Sequence, residues 1–357
     1  MKCVILTFHD VNNYGAVLQA YSLKCHLEGM GNSVVFADAK PDKIKEVYRF
    51  NPFRRPFGIK IFARRMITCF FPQLRETISF RCFLRRNMGK TIRADMESFR
   101  SIGTEAVIIG SDQVWNDNIT GETDVYYLPW LDSSIRKISY AASFGKKVLS
   151  DYQKKCISEN MDSFYAVSLR EPAFIQDIEQ LSQKKAVTVV DPVLLNNRNF
   201  WTEAAENSKV HPKAESYILY YSLSGDKELV SVAEELSRKL GKKIISIHPT
   251  GVKQTVSGKQ LYNAGPAEFL YLIKNAAMVV TDSFHGTAFS LIFGKKYYHN
   301  VSIADLRVEW LLNNVGVYDS CKEECQGTEI LDLSRADNER LESLIRSSAV
   351  FLETALK

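Results

Sequence analysis

One rhythm runs through this chain twice and restricts what it can become. Short β-branched, apolar runs are each handed on to a helical pattern, first over residues 1–200 and again over residues 213–335. The first series opens with a strand at Lys2–Thr7, the polar loop "HDVNNYG" and a helix from about Ala16 to Glu28. Gly29 and Gly31 stop that helix, and the strand "VVFAD" follows. Strand-like runs return at "EAVIIGSD", "KISYAASFG", "FYAVSLRE" and "AVTVVDPVLL", most of them separated by helical patterns, which predicts a mainly parallel sheet covered by helices.

The polar stretch "TEAAENSKVHPKAES" reads as a linker. After it come the strand "YILYYSL", the helix "KELVSVAEELSRKLG", the strand "KIISIHP", the helix "PAEFLYLIKNAA", the strand "MVVTDS", a helix from about Gly286 and the strand "KYYHN". Residues 336–357 form an amphipathic helix, with Leu341, Leu344, Ile345 and Phe351 near helical spacing. No internal repeat is visible at solenoid periods. The expected fold class is therefore α/β, with two Rossmann-like, doubly wound domains facing a cleft. Open parallel sheets bind ligands beyond the carboxyl ends of their strands, so function is expected there.

At 357 residues, with 45% hydrophobic and 24% charged content, the chain can bury two cores of ordinary size. Its start, "MKCVILTFHD", reads as a buried strand rather than a signal peptide, and no run approaches the roughly 20 apolar residues of a membrane span. The seven cysteines are scattered and odd in number, which suits a reducing compartment; Cys321 and Cys325, though close together, have no flanking histidine to complete a metal site. A cytoplasmic protein without a metal is expected. Charge is uneven: between Lys43 and Lys90, thirteen lysines and arginines face only Glu46 and Glu76, so the rest of a chain of net charge +5 is acidic. This basic insertion at about 43–90 is interleaved with phenylalanines.

Several polar clusters sit where strands end. Asn13, Tyr14 and Gly15 open the first helix, where free N–H groups can hold an anion and a glycine admits a ligand; asparagine capping explains the same residues. Ser111 and Asp112 end "VIIGSD". Asp112 suits orienting or deprotonating a sugar hydroxyl and Trp115 suits stacking on a sugar, while a plain turn accounts for Gly-Ser-Asp. Arg170 ends "AVSLR" and can fork onto a carboxylate or phosphate, or pair with Glu171 or another acid. His248 and His285 follow two strands of the second series. Their residue type suits general acid–base work, and the run Asp282, Ser283, His285, Gly286, Thr287 places one of them at a strand-to-helix turn. There is no G-x-G-x-x-G, nucleophile elbow, H-E-x-x-H or Walker motif, so dinucleotide binding, serine or zinc hydrolysis and P-loop chemistry are disfavoured.

Taken in order, "NNYGAVLQAYSL", "VIIGSDQVWN", "ISYAASFG", "VSLREP", "VVDPVLL" and "VVTDSFHGTAFSLIFGK" resemble the polysaccharide pyruvyl transferase family, from Met1 to about His299. The resemblance implies a GT-B-like pair of domains and transfer of a pyruvyl group from phosphoenolpyruvate to a sugar of a cell-surface polysaccharide precursor, as a ketal. The family's histidine falls on His285 and its strand-end arginine on Arg170. Members often carry an arginine two positions before that histidine, where this chain has Ser283. Its anion-holding task then passes to Arg170, to the asparagine-rich helix start, or to a basic residue such as Lys295.

On this reading Arg170 and backbone N–H groups bind the donor, His285 protonates its methylene carbon, Asp112 takes a hydroxyl proton, and no cofactor or metal is needed. A lipid-linked oligosaccharide acceptor would give the basic insertion a role, with "KIFARRMITCFF" as a peripheral helix at the inner face of the plasma membrane; a helix packed on the first domain with a solvated basic face is the alternative. No nucleic-acid motif accompanies the charge. A GT-B-type glycosyltransferase using a nucleotide sugar and a non-catalytic glycan-binding protein are the other readings.

Overall fold

The computed structural model describes residues 1–39, 41, 43–44, 71–247, 256–298, 305–320, 322–325 and 328–357. His248, Cys69, Cys321 and the segment "KIFARRMITCF" at 60–70 lie outside the described residues.

The first sheet contains β1 (Lys2–Leu6), β2 (Ser33–Asp38), β3 (Thr91–Arg93), β4 (Ala106–Ile109), β5 (Arg136–Ala142), β6 (Ala166–Leu169) and β7 (Ala186–Thr188). Its spatial order is β3-β2-β1-β4-β5-β6-β7, and every pairing is parallel. The second sheet contains β8 (Tyr217–Tyr221), β9 (Lys243–Ile247), β10 (Lys259–Leu261), β11 (Met278–Thr281), β12 (Lys296–Tyr298), β13 (Lys322–Cys325) and β14 (Thr328–Asp332), in the order β10-β9-β8-β11-β12-β14-β13. Here β14 turns antiparallel beside β12 and pairs with β13. The central strands explain their own sequences. β4 and β8 are buried at every position because both faces are covered, and both read as unbroken apolar runs rather than alternating ones.

The helix Tyr14–Gly29 lies at the seam between the two halves. It is buried on nearly all sides, which a helix sandwiched between layers must be. Two of its buried side chains donate inside the protein: Gln19 Nε2 to the carbonyl of Ala16 at 2.9 Å, and Ser22 to that of Pro192, while Gln19 Oε1 is buried without a partner. Tyr14 ties the halves together. Its ring stacks on Phe269 with centroids 4.6 Å apart, and its hydroxyl donates to the Ala264 carbonyl at 2.8 Å.

The expected linker is shorter than its composition suggests, because Thr202–Ala205 complete the helix Arg198–Ala205. That helix is held by Trp201, which is fully buried against Phe289 and donates its indole N–H to the Val193 carbonyl at 2.9 Å. The last helix, Asn338–Ala355, returns to the first half. The Val190 N–H donates to Ser348 Oγ at 3.0 Å, and Phe351 meets Tyr140.

The described end of the basic insertion is the helix Phe71–Asn87. Phe80 and Phe83 are buried, with Phe80 against Tyr14 and Phe83 against Tyr21, so these two rings are not available to a lipid surface. The helix crosses the seam: Asn12 of the first half donates to Thr77, and Ser79 donates to the carbonyl of Asn263 in the second. Arg75, Arg81, Arg85 and Arg86 stay exposed.

Candidate functional site

Three strands of the first sheet end in polar residues that meet. Past β6 comes Arg170, past β4 comes Ser111, and past β7 comes Asp191, all three buried to within about 1% of full enclosure. Arg170 Nη1 donates to Asp191 Oδ2 at 2.8 Å, and Ser111 Oγ donates to the same oxygen at 2.7 Å. Asp191 Oδ1 accepts from the Val193 N–H at 3.0 Å, capping the short turn Pro192–Leu194. A charge removed from water survives only if paired and hydrogen-bonded, and this carboxylate is both. Burial works to raise its pKa, but His285 and Arg170 outweigh burial and hold it well below the usual carboxylate range.

Arg170 is less completely served. Its Nε and Nη2 are buried without a hydrogen-bond partner, and Asp112 Oδ1 stands 3.7 Å from Nη2, too far for a good hydrogen bond. Its guanidinium lies 4.8 Å from the centre of the Phe284 ring. Asp112 itself has φ +85°, in the left-handed region that aspartate tolerates better than most residues, and beside it Ala141 (φ +52°) marks an irregularity in β5. Backbone strain of this kind concentrates at functional sites.

The second half contributes His285, at the start of the helix Phe284–Ile292. Ser283 caps this helix by accepting from the Gly286 N–H, and Gly286 packs so tightly on Thr281 that a Cβ would lie 2.6 Å from its hydroxyl. This fixes the turn and aims His285 across the seam. His285 Nε2 lies 3.6 Å from Asp191 Oδ2, a contact longer than a good hydrogen bond, and it has no hydrogen-bond partner. Two residues 115 positions apart in number, Arg170 and His285, thus approach one carboxylate oxygen.

Outside this core a second layer forms a cavity of about 260 Å³ at the mouth of the seam. Glu171 accepts from Ser143 Oγ at 2.8 Å, and its buried Oε2 has no partner; burial raises its pKa against the pull of Arg170 and Arg307. Arg307 clamps Asp305 through Nε at 2.7 Å and through Nη2, and its guanidinium lies 5.7 Å from the Phe284 ring. Burial would raise the Asp305 carboxyl, but Arg307 holds it at about 2.

Several residues singled out from the sequence take other places. Trp115 is no stacking face: it is 1% exposed, stacked on Tyr127, and its indole N–H is used by the Tyr126 carbonyl. Tyr14 is a seam residue, and Asn13 caps its helix by accepting from Ala16. Gly15 does admit a close neighbour, but that neighbour is the His285 ring, so the helix start is covered by protein. Lys295 sits at the amino end of β12, the wrong end of the sheet for this site, and pairs with Glu215 at 2.7 Å. Asp282 ties down the loop after β8, accepting from Ser222 and from the Leu223 and Ser224 N–H groups. Thr287 bonds to the Ser283 carbonyl and the Tyr297 hydroxyl, which makes it a packing residue. Asp191, Glu171, Phe284 and Arg307 were not singled out. Asp191 and Glu171 carried a signal, since each is an acid at a strand end followed by proline.

Among the described residues no group of three or more His, Cys, Asp and Glu could hold a metal, and no helix is long and apolar enough to cross a membrane.

Two α/β halves with mainly parallel sheets, their strand ends converging on one seam, define a GT-B-like protein. The UDP-GlcNAc 2-epimerase of Neisseria meningitidis, solved with UDP-GlcNAc, has the same fold: TM-score 0.51 at 9% identity, over 100% of this chain and 99% of that one. The UDP-GlcNAc 2-epimerase of Methanocaldococcus jannaschii aligns with a TM-score of 0.48 at 13% identity, over 97% and 99% of the two chains. Likeness at this identity concerns the fold alone. The chain belongs to the polysaccharide pyruvyl transferase family, whose model matches residues 13–297. No curated protein matches significantly in sequence.

Proposed function

We propose that this protein transfers the pyruvyl group of phosphoenolpyruvate to a pair of hydroxyls on a sugar of a polysaccharide precursor, forming a ketal. One observation carries the reading: Arg170 and His285, from different halves, meet at Asp191 Oδ2, and both retain buried nitrogens without partners. Unpaired buried donors are costly, and an anionic substrate between the halves would satisfy them.

In this mechanism protonated His285, supported by Asp191, gives its proton to the methylene carbon, which becomes a methyl group. C2 acquires oxocarbenium character and is attacked by a sugar hydroxyl, whose proton passes to Asp112. A second hydroxyl then displaces phosphate at C2, and its proton leaves with the phosphate. Rate enhancement comes from positioning and charge stabilisation, both of which suit a seam lined by preset ions. His285 is enclosed at 7% exposure, so the halves must part to admit substrate.

The test is incubation with phosphoenolpyruvate and candidate lipid-linked sugars, following phosphate release and the acceptor's gain of one pyruvate less water. His285→Ala should abolish both while leaving the melting curve cooperative. Consumption of a nucleotide sugar in place of phosphoenolpyruvate would instead make the protein a glycosyltransferase.

A further inference from the structure

We infer that Arg307, together with Lys147, forms the phosphate-gripping arm of the donor site, in the cavity at the mouth of the seam. The inference rests on the pyruvyl-transfer reading for the donor's identity, but its geometry stands apart from it. Arg307 is the second residue of the helix Leu306–Asn314, and the residue that clamps it, Asp305, is also that helix's N-cap. Two of its nitrogens are spent on Asp305, which fixes the guanidinium plane. Nη1 has no hydrogen-bond partner among the described residues. A guanidinium held rigid by one carboxylate with a donor left over is preorganised for a second anion.

The placement is specific. Arg307 and Arg170 approach the same Phe284 ring, at 5.7 and 4.8 Å, and Phe284 directly precedes His285. The two guanidinium groups therefore share one aromatic neighbour, and that neighbour adjoins His285 in the chain. The same cavity is lined by Lys146, neutralised by Asp117, and by Lys147, which is exposed and makes no ion pair among the described residues. The volume of about 260 Å³ holds on the order of eight waters' worth of liquid, room for a phosphate and its bridging oxygen. Glu171 also lines the cavity, and its Oε2 is buried without a partner. Burial pushes that carboxyl towards its neutral, proton-donating form, which suits a phosphate oxygen as neighbour.

The experiment measures binding of inorganic phosphate and of phosphoenolpyruvate by calorimetry to the full chain, to Arg307→Gln, to Arg307→Lys and to Lys147→Gln. Loss of one charged contact should weaken phosphate binding on the order of tenfold in Arg307→Gln and severalfold in Lys147→Gln, with partial recovery in Arg307→Lys. The KM for phosphoenolpyruvate should rise in parallel with kcat less affected. Unchanged phosphate affinity in Arg307→Gln, or in Lys147→Gln should the former fail to fold, overturns the assignment, as does a wild-type protein that binds no phosphate. Phosphate binding that is lost in Arg307→Gln by a protein unable to turn over phosphoenolpyruvate would uphold the arm and refute the donor instead.

Discussion

Gly15 of the first half lies directly beneath the His285 imidazole of the second: a Cβ on Gly15 would stand 1.9 Å from Nδ1. No side chain fits there, so the need for glycine comes from close approach rather than from backbone conformation. Gly15→Ala must push the ring away from Asp191 or wedge the halves apart. A displacement of about 1 Å at a reacting group costs on the order of a hundredfold in rate, and overpacking costs about 1–3 kcal/mol of stability. Steady-state kinetics beside a thermal melt check both; turnover near wild type would detach the seam from the chemistry.

Asp191 holds Arg170 and Ser111 by hydrogen bonds and faces His285. Asp191→Ala leaves a buried guanidinium without its countercharge, a change that typically costs about 3–5 kcal/mol. Asp191→Asn keeps the shape and should cost less. Urea unfolding of both variants provides the check, and a loss below about 1 kcal/mol for the alanine variant would show that the guanidinium finds another partner.

How much of this was legible beforehand depends on range. The alternation of strands and helices is written locally, and β4, β6, β8 and β11 fall where apolar runs predict them. β3 and β10 have three residues each, β13 is an edge strand rich in charge, as edge strands often are, and β14 beside it carries a charge near each end, so none carries a clear apolar run. Strand-end polar residues could be named, but not sorted. Trp115 beside Asp112 looks the same in sequence whether its ring faces a sugar or Tyr127. Asp191 and Arg307 acquire their meaning from partners brought close only by the fold, and no periodicity records that.

Tyr14→Phe separates a seam role from a ligand role. The variant keeps the stack on Phe269 and loses one hydrogen bond, to the Ala264 carbonyl, which is worth about 1 kcal/mol. The melting temperature should fall slightly, with the KM for donor and acceptor unchanged. A KM that rises while stability holds would return Tyr14 to the binding site.

Asp305 gives the fold a pH dependence of known sign. Burial raises its carboxyl, yet Arg307 holds it at about 2, below the value near 3.9 expected of an unfolded chain. A depressed folded value contributes stability that is fully present above the unfolded pKa and is lost as pH falls through about 2. The pair should therefore contribute roughly 2 kcal/mol at pH 5 and progressively less between about pH 4 and pH 2. Urea unfolding of wild type and Asp305→Asn across that window should show their difference shrinking; a constant difference would mean that the pair is not coupled to folding.

The helix Phe71–Asn87 spends its phenylalanines on the seam, and what it leaves outside is a face of Arg75, Arg81, Arg85 and Arg86 with Leu74 and Ile78, 43% and 52% exposed. Exposed apolar residues among arginines suit an anionic lipid surface, where each cation contributes about 1 kcal/mol. We propose that this face meets the membrane carrying a lipid-linked acceptor. Charge reversal at two positions, Arg81→Glu with Arg85→Glu, removes at least 2 kcal/mol of attraction, about thirtyfold in partitioning. Flotation with vesicles containing phosphatidylserine should show that loss, and neutral phosphatidylcholine vesicles should bind neither protein. Both residues are exposed, so turnover of a water-soluble acceptor analogue should be unchanged. Equal flotation of the two proteins would leave the face as a solvated helix surface.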